Sequence, residues 1–411
     1  MKILIISESI NVEDSSASKG RVALINNLKK AGYEILVLHF SHKEIFLNGI
    51  ETHLIKENKK TILFYLSRLI RIIQRLFKIN INKKVEKFIG FSFTHTNDKN
   101  AIAKAIKKSD INFNPNFILT LSKGGSFRPH RAMLDLEYLS QKWIAYIHDP
   151  YPYHFYPRPY NFVEESYMFK EKMMKNITDK ARYLAFPSLL LKDWMNSYFP
   201  IVESKSVIIP HQINVETTPE KLPSFFTPNE FSLLHAGNLL KQREPKYLIQ
   251  AYLNFLDNNE KAKQNSKLYF IGDYKKHKTT LDVYKNHPNI IVHDYIEYKI
   301  IQELEKQSAV NIILEAISEI SPFLPGKFPN CIKVNKPILV LGPYYSETRR
   351  LLGKQYKFWS ETNDVNKIEI LINQLYENWN TNKSEFDLNR DDLIDYCNEV
   401  QLKKTIDSLA I

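Results

Sequence analysis

The sequence predicts an α/β fold of two successive doubly wound parallel sheets, and three observations carry that reading. Short apolar runs alternate with segments of helical periodicity, a polar Pro-rich stretch interrupts them near the middle, and the same alternation then starts again. The 411 residues exceed one ordinary core, since domains average roughly 150 residues.

In chain order, residues 3–6 read as a strand buried on both faces. A polar loop, Ser15-Ser16-Ala17-Ser18-Lys19-Gly20, leads to a helix over about 21–30, with Gly32 where a helix caps. Residues 34–40 form the next strand. A strand, helix and strand at this spacing require a crossover, which makes the sheet parallel and covered on both faces. Further strands are read at 117–121, 143–147, 183–186 and 206–209. Residues 210–229, with Pro219, Pro223 and Pro228, have the composition of an interdomain linker. After it come a strand at 231–235, the loop Ala236-Gly237-Asn238, a helix at 246–256, and strands at 268–271, 290–292, 310–314 and 337–341. Segments 367–379 and 391–409 are read as helical. Ligands of doubly wound sheets lie outside the carboxyl ends of the strands, so the cleft between the two domains is the expected site.

Hydrophobic residues make up 44% of the chain and charged residues 25%, a composition that buries a core and excludes wholesale disorder. Cys331 and Cys397 are the only cysteines. No disulfide framework or Cys-based zinc site follows, and a reducing cytoplasm fits. The amino-terminal apolar run is too short for a signal peptide, and no run of about eighteen apolar residues is long enough to span a bilayer. The net charge of +12 calls for an anionic partner, whether nucleic acid, anionic lipid or a phosphorylated small molecule. Between residues 56 and 87, ten Lys or Arg stand against Glu57 and Glu86, a local excess of eight.

Four segments can carry chemistry. In 237–245, Gly237 permits close backbone approach, Pro245 suits a helix start, and free amides with Lys241 and Arg243 can hold an anion. In 321–330, Pro325 and Gly326 shape an irregular loop whose amides can nest an anion, with Lys327 able to reach over a diphosphate. His148 follows a strand and is itself followed by Tyr151-Pro152-Tyr153-His154-Phe155-Tyr156-Pro157-Arg158, a stiff aromatic loop suited to stacking on sugar rings. In 61–78, Arg68, Arg71, Arg75 and Lys78 share one helical face beside a broad apolar one. Such a helix lies in the headgroup layer of an anionic membrane or packs on the N-terminal sheet, and the sequence leaves both open. No Asp-x-Asp triplet, His-x-x-x-His pair or Gly-x-Gly-x-x-Gly fingerprint occurs, which removes support for metal-dependent transfer and for a nicotinamide enzyme. No motif that reads nucleic acid accompanies the charge.

The chain resembles the retaining GT-B glycosyltransferases, the family-4-like enzymes that build bacterial polysaccharides and glycolipids. Val207-Ile208-Ile209-Pro210-His211-Gln212-Ile213-Asn214 looks like that family's hinge, and Ala181 to Ser188 like the segment before it. Gly237 to Arg243 is similar to its phosphate loop, with Arg243 where Lys is usual. Val334-Asn335-Lys336-Pro337-Ile338 is similar to its Gly-Lys-Pro-Val step. The family's paired glutamates would fall at Pro322 and Asn330, and neither is an acid. Leu324-Pro325-Gly326-Lys327 to Asn330 instead looks like a subgroup with Pro-x-Lys followed by Glu, here replaced by Asn330.

The resemblance implies GT-B architecture, two Rossmann-like domains with an interdomain cleft. An acceptor-side domain would occupy 1–212 and a nucleotide-sugar domain 213–389, with a terminal helix at about 390–411 crossing back onto the first. It implies Arg243 and Lys327 on the leaving diphosphate and His148 on the donor sugar. Gly20, Gly237, Asn238, Lys241, Gly272, Ile296, Pro325, Gly326 and Asn330 would complete the donor site, the Tyr295-Ile296 backbone meeting the base and Asn330 a ribose hydroxyl. The donor would be a UDP-sugar used without a metal ion, the acceptor a glycan or lipid-linked, and the enzyme cytoplasmic or peripheral on the inner face of the membrane, with no nucleic-acid partner. A sugar-nucleotide epimerase of the same fold, with Glu315 or Glu319 as acid or base, and a non-catalytic glycan- or lipid-binding subunit are the competing readings.

Overall fold

The computed structural model describes residues 1–121, 123–214, 220–381 and 386–409, so Pro219 of the expected linker lies outside the described residues. The chain divides into two compact units. One holds Met1–Tyr156, Asn161–Gln212 and Asn398–Ile411, and the other Pro157–Tyr160 and Ile213–Cys397.

In the first unit, β1 (Lys2–Ser7), β2 (Glu34–His39), β3 (Glu51–Leu54), β4 (Phe117–Leu121), β5 (Trp143–Tyr146), β6 (Tyr183–Phe186) and β7 (Ser206–Ile208) form a seven-stranded sheet. Its order is β3-β2-β1-β4-β5-β6-β7, parallel throughout. Alternation of side chains along a strand sorts them onto two faces. Leu4, Ile6, Leu36 and Leu38 enter one core, while Ile3, Ile5, Ile35 and Val37 enter the other. Both faces are therefore covered, as parallel sheets require. The principal helices of this part of the chain are α1 (Ser16–Lys30), α2 (Ile62–Phe77), α3 (Ile81–Ile89), α4 (Phe93–Phe113), α5 (Arg128–Met133), α6 (Tyr167–Lys180) and α7 (Leu189–Asn196).

Helix α1 starts earlier than the sequence suggests, and this corrects the expected Lys19-Gly20 loop. Ser15 caps it, its hydroxyl accepting from the Ser18 amide at 3.2 Å. Arg21 is buried and donates to Ser9 O at 2.9 Å and Ser18 Oγ at 2.8 Å. Capping and this anchorage outweigh the poor helix propensity of Ser and Gly.

In the second unit, β8 (Phe231–Ala236), β9 (Ser266–Ile271), β10 (Ile290–His293), β11 (Val310–Leu314), β12 (Ile320–Ser321), β13 (Ile338–Leu341), β14 (Tyr345–Ser346) and β15 (Trp359–Ser360) are the strands. Six of them form a parallel sheet in the order β10-β9-β8-β11-β13-β15, and β12 pairs with β14. Leu233, Leu268 and Phe270 fill one face, and Leu234, Tyr269 and Ile271 the other. The principal helices are α8 (Lys246–Asp257), α9 (Tyr298–Gln307), α10 (Phe328–Lys333), α11 (Val365–Thr381) and α12 (Asp391–Tyr396). In each sheet the strand order reverses once, at β1/β4 and at β8/β11, and these are the points where ligands of doubly wound sheets bind.

The expected terminal helix from about 390 is in fact two. Leu393 of α12 packs with Phe328, Cys331 and Ile332 in the second unit. A new helix, α13 (Glu399–Asp407), is capped by Asn398, whose side chain accepts from the amides of Val400 and Gln401. Leu402 and Ile406 join Leu24 and Leu28 in the core of the first unit, and Tyr33 Oη donates to Asp407 Oδ1 at 2.7 Å.

Candidate functional site

In the first unit, His148 stands just beyond β5, half-buried. Its Nε2 is shielded from solvent and has no hydrogen-bond partner among the described residues. The ring lies parallel to that of His211, with centroids 6.2 Å apart and planes 9° apart, and against the edge of Tyr146 at 4.1 Å. Tyr146 Oη donates to Ile209 O at 2.6 Å, fixing the end of β5 to the segment that carries His211. A Cβ on Gly20 would stand 3.9 Å from His211 Nδ1. Gly20, His148 and His211 are thus brought together at the carboxyl edge of the sheet. Burial holds the His148 pKa well below the ordinary histidine value, and the charges of His211, Arg21 and His130 push it the same way. His148 is therefore a neutral imidazole able to give or take one hydrogen bond.

The aromatic loop departs from expectation. Tyr151 is buried and stacks on Phe127 with centroids 4.4 Å apart. Phe155 stacks on Tyr198 at 3.9 Å. Tyr153 Oη accepts from the Gly125 amide at 2.8 Å, an approach that only a residue without Cβ allows, because a Cβ there would lie 2.5 Å from Tyr153 Cζ. These three rings are used inside the fold instead of on a sugar. Apolar area withdrawn from water is worth more to them than an exposed stacking surface.

In the second unit, β8 is followed at once by Gly237, whose φ of +148° favours glycine. Just beyond β9, Gly272 lies beside it, where a Cβ would meet Gly237 O at 2.6 Å. Gly272 therefore serves the packing of this loop. Asn238 Oδ1 accepts from the Asp273 amide at 3.2 Å, and Leu239 N donates to Asp273 O at 2.9 Å. The loop is pinned while Gly237, Asn238 and Lys241 remain exposed. Arg243 donates weakly to Asn238 O at 3.4 Å, and its buried Nε has no hydrogen-bond partner among the described residues.

Lys327, expected to reach outward, is turned in. Its ammonium donates to His235 Nδ1 at 3.2 Å, Ala236 O at 3.3 Å and Ile312 O, filling its three donor positions beneath the Gly237 loop. Burial, with the Arg243 charge acting the same way and Cys331 and Glu305 opposing, lowers its pKa to about 8. Burial and the same two cations hold His235 well below the usual histidine range. Neither Arg243 nor Lys327 has an ion-pair partner among the described residues. Although Glu305 acts on Lys327 and Glu315 on Arg243 from a distance, such a pair favours a bound anion.

Other expected residues are placed less simply. Asn330 is buried, its amide donating to Tyr298 Oη at 2.8 Å and its carbonyl accepting from Asn214 at 3.1 Å. A ribose contact would have to replace one of these. Ile296 packs its side chain into the cluster with Leu304 and Ile300, leaving its backbone as the group able to meet a base. Gly326 is exposed with open space around it, and Pro325 O accepts from Phe328 N at 2.9 Å to close the turn.

Over the whole chain, this structure is similar to solved glycosyltransferases. A glycosyltransferase from Rickettsia africae superposes with a TM-score of 0.64 at 17% identity, covering 99% of this chain and 97% of that one. Anabaena HepE, solved with UDP and glucose, gives 0.63 at 12% identity, each chain covered in full at 100%. A Listeria monocytogenes structure described as a UDP-N-acetylglucosamine 2-epimerase gives 0.56 at 13% identity, covering 98% of this chain and 94% of that one. The chain has the GT-B fold. No protein-family model matches the sequence, and no curated protein matches it.

Within that fold, Glu8 and Asp98 escaped the sequence reading, and Glu315 entered it only as an epimerase acid or base. Glu8, just after β1, accepts from the Arg128 amide and guanidinium, both at 3.2 Å, and Arg128 also reaches Asp98 at 3.1 Å. Burial pushes the Asp98 carboxyl up to about 6 despite that cation. Glu315, just after β11, is buried; Thr348 donates to its Oε1 at 2.6 Å, and its Oε2 has no hydrogen-bond partner among the described residues. A Cβ on Gly342 would crowd Glu315 at 3.1 Å. Burial raises the Glu315 pKa, and the Arg243 charge opposes that rise. A polar residue ending an otherwise apolar strand was the available signal for Glu8 and Glu315.

Proposed function

We propose that the protein is a retaining glycosyltransferase that moves a sugar from a nucleotide-diphosphate donor, UDP-linked, to a hydroxyl of a lipid-linked or polysaccharide acceptor. The observation that supports this most is the pair Arg243 and Lys327, cations with no carboxylate partner among the described residues, at the carboxyl edge of β8 and β11. On this reading 213–389 binds the nucleotide sugar, and 1–212 serves the acceptor and the sugar through His148. Residues 61–78 bring the chain to an anionic membrane surface.

In the reaction, the bond from the anomeric carbon to the diphosphate breaks and its electron pair leaves with the phosphate. The acceptor oxygen bonds to the same face of that carbon, and its proton passes to the departing phosphate oxygen. Negative charge grows on the diphosphate, so Arg243, Lys327 and the amides after Gly237 act where stabilisation counts most. Removing one such donor elsewhere costs about 3 kcal/mol of activation energy. Two cations supply the neutralisation that a metal ion supplies in other transferases, and no protein nucleophile enters.

Glu315 keeps a second reading open, because a buried carboxyl within the influence of Arg243 is what a sugar-nucleotide epimerase would use as acid or base. Glu319 is exposed and fits that role less well. An assay with radiolabelled UDP-hexoses and UDP-N-acetylhexosamines, a membrane lipid extract as acceptor and EDTA throughout separates the two. Label passing into lipid with release of UDP is expected. Interconversion of the donor without any acceptor would overturn the transferase reading.

A further inference from the structure

Helix α2 does not pack its apolar face on the sheet. Ser67 and Ile70 are its only buried residues. Ile62, Tyr65, Leu69, Ile72 and Leu76 recur at alternating steps of three and four and stand in solvent, Ile62 at 78% and Leu76 at 71% exposure. Arg68, Arg71, Arg75 and Lys78 run beside them in the same rhythm. Arg68 is tied to Glu57 at 3.2 Å and Arg71 to Thr94 at 3.2 Å. Arg75 and Lys78 have no hydrogen-bond or ion-pair partner among the described residues.

The exposed surface continues beyond α2. Gln74 Oε1 accepts from the Asn82 amide at 3.1 Å, joining α2 to α3. No residue of α3 is buried; it presents Phe88 and Ile89 with Lys83, Lys84 and Lys87. Lys83 pairs with Glu165 at 2.6 Å, and the Phe169 ring lies against Gly90, which has no Cβ to block it. That contact leads to Val163, Tyr167, Met168 and Phe169 at the start of α6, all exposed. Three adjoining elements therefore carry large apolar side chains in solvent among lysines and arginines. No described helix is long and apolar enough to cross a membrane.

We propose that this composite face, formed by α2, α3 and residues 163–169, docks the protein on an anionic lipid bilayer. It rests on the reading of a lipid-linked acceptor above. Charge decides the occupant. A second copy would set one excess of eight positive charges against another, which disfavours self-association. Anionic headgroups complement the cations while the apolar ladder enters the acyl boundary. The face also connects to the candidate site along the chain. Glu164 accepts from the Tyr153 amide at 3.2 Å, and Phe162 packs on Tyr153 and Tyr156, within the segment that begins at His148. A docked surface would thus hold the site's own loop at the headgroup level, where the hydroxyl of a lipid-anchored acceptor lies.

The test is co-flotation of the full chain with phosphatidylcholine vesicles, with and without phosphatidylglycerol. The variants are Leu69→Asn/Ile72→Asn/Leu76→Asn, Phe88→Ser/Ile89→Ser and Arg71→Gln/Arg75→Gln/Lys78→Gln. Wild type should bind the anionic vesicles, and each variant should lose about tenfold or more in affinity. Each basic residue near such a surface contributes roughly fivefold and each apolar side chain entering the acyl boundary a comparable factor, and every variant removes two or three. Because these substitutions are on exposed positions, UDP should stabilise every variant as it does wild type, so loss of docking is read separately from loss of the donor site. Absence of wild-type binding, or apolar variants that bind like wild type, would overturn the proposal. So would a dimer in solution that the apolar variants dissociate.

Discussion

Replacing Lys327 with Met tests the electrostatics of the donor site on one atom. The ammonium holds two carbonyls and the His235 ring, and leaving buried acceptors unpaired costs about 1–3 kcal/mol of stability. With its three donors engaged inside the protein, the ammonium acts on a diphosphate through its charge, and losing it should lower UDP affinity about tenfold, roughly 1.4 kcal/mol. The pH dependence distinguishes a phosphate partner from a structural strut. Burial has lowered the Lys327 pKa to about 8 from the ordinary 10.5. Between those values the unfolded chain holds more protons, so this residue makes the unliganded protein more stable as pH rises through that window and less stable as pH falls through it. A bound diphosphate favours the ammonium and draws the pKa back up. UDP binding should therefore take up a proton above about pH 8 and weaken as pH climbs. Titration calorimetry in buffers of different ionisation enthalpy measures both effects. Lys327→Met should bind weakly and without that proton uptake. A variant that loses stability yet binds UDP with wild-type affinity and wild-type pH dependence would refute the reasoning.

Arg243→Ala should lower turnover by about tenfold or more, the equivalent of about 1.4 kcal/mol of transition-state stabilisation, measured as initial rates of UDP release; an unchanged rate would remove Arg243 from the diphosphate. Gly272→Ala places a Cβ 2.6 Å from Gly237 O on a backbone with φ of +136°, and thermal unfolding should show a loss of about 1–3 kcal/mol along with weaker UDP binding. Glu315→Gln tests a carboxyl whose pKa is raised by burial. A raised group adds stability below its unfolded pKa and loses it as pH rises through the folded value, so the amide should remove that slope and raise the melting temperature at neutral pH.

Much of the fold was legible because strands buried on both faces read as continuous apolar runs, and β1, β4, β8, β11 and β13 fall within a residue or two of expectation. β3, whose Glu51-Thr52-His53-Leu54 is half polar, was invisible for the same reason. The onset of α1 was misread because Ser and Gly lower local helix propensity, whereas Arg21 reaches back to Ser9 across a fold the sequence does not display. Placement after strands picked out His148, Arg243 and Lys327 as candidates. It could not foresee that Lys327 points inward or that Tyr151 and Phe155 spend their rings on Phe127 and Tyr198, since side-chain direction is decided by packing. The amphipathic rhythm of α2 was plain in the sequence. Whether its apolar ladder faces a core or the solvent is a tertiary fact.

The central claim, a nucleotide-diphosphate site built on Gly237, Arg243 and Lys327, is tested most directly by thermal unfolding of the full chain with UDP, GDP or ADP, each with EDTA. A nucleotide at about 100 times its dissociation constant adds roughly 2.7 kcal/mol to the native state. The account predicts that UDP raises the melting temperature, that GDP and ADP do so less, and that Arg243→Ala and Lys327→Met diminish the rise. No response to any of the three would contradict it.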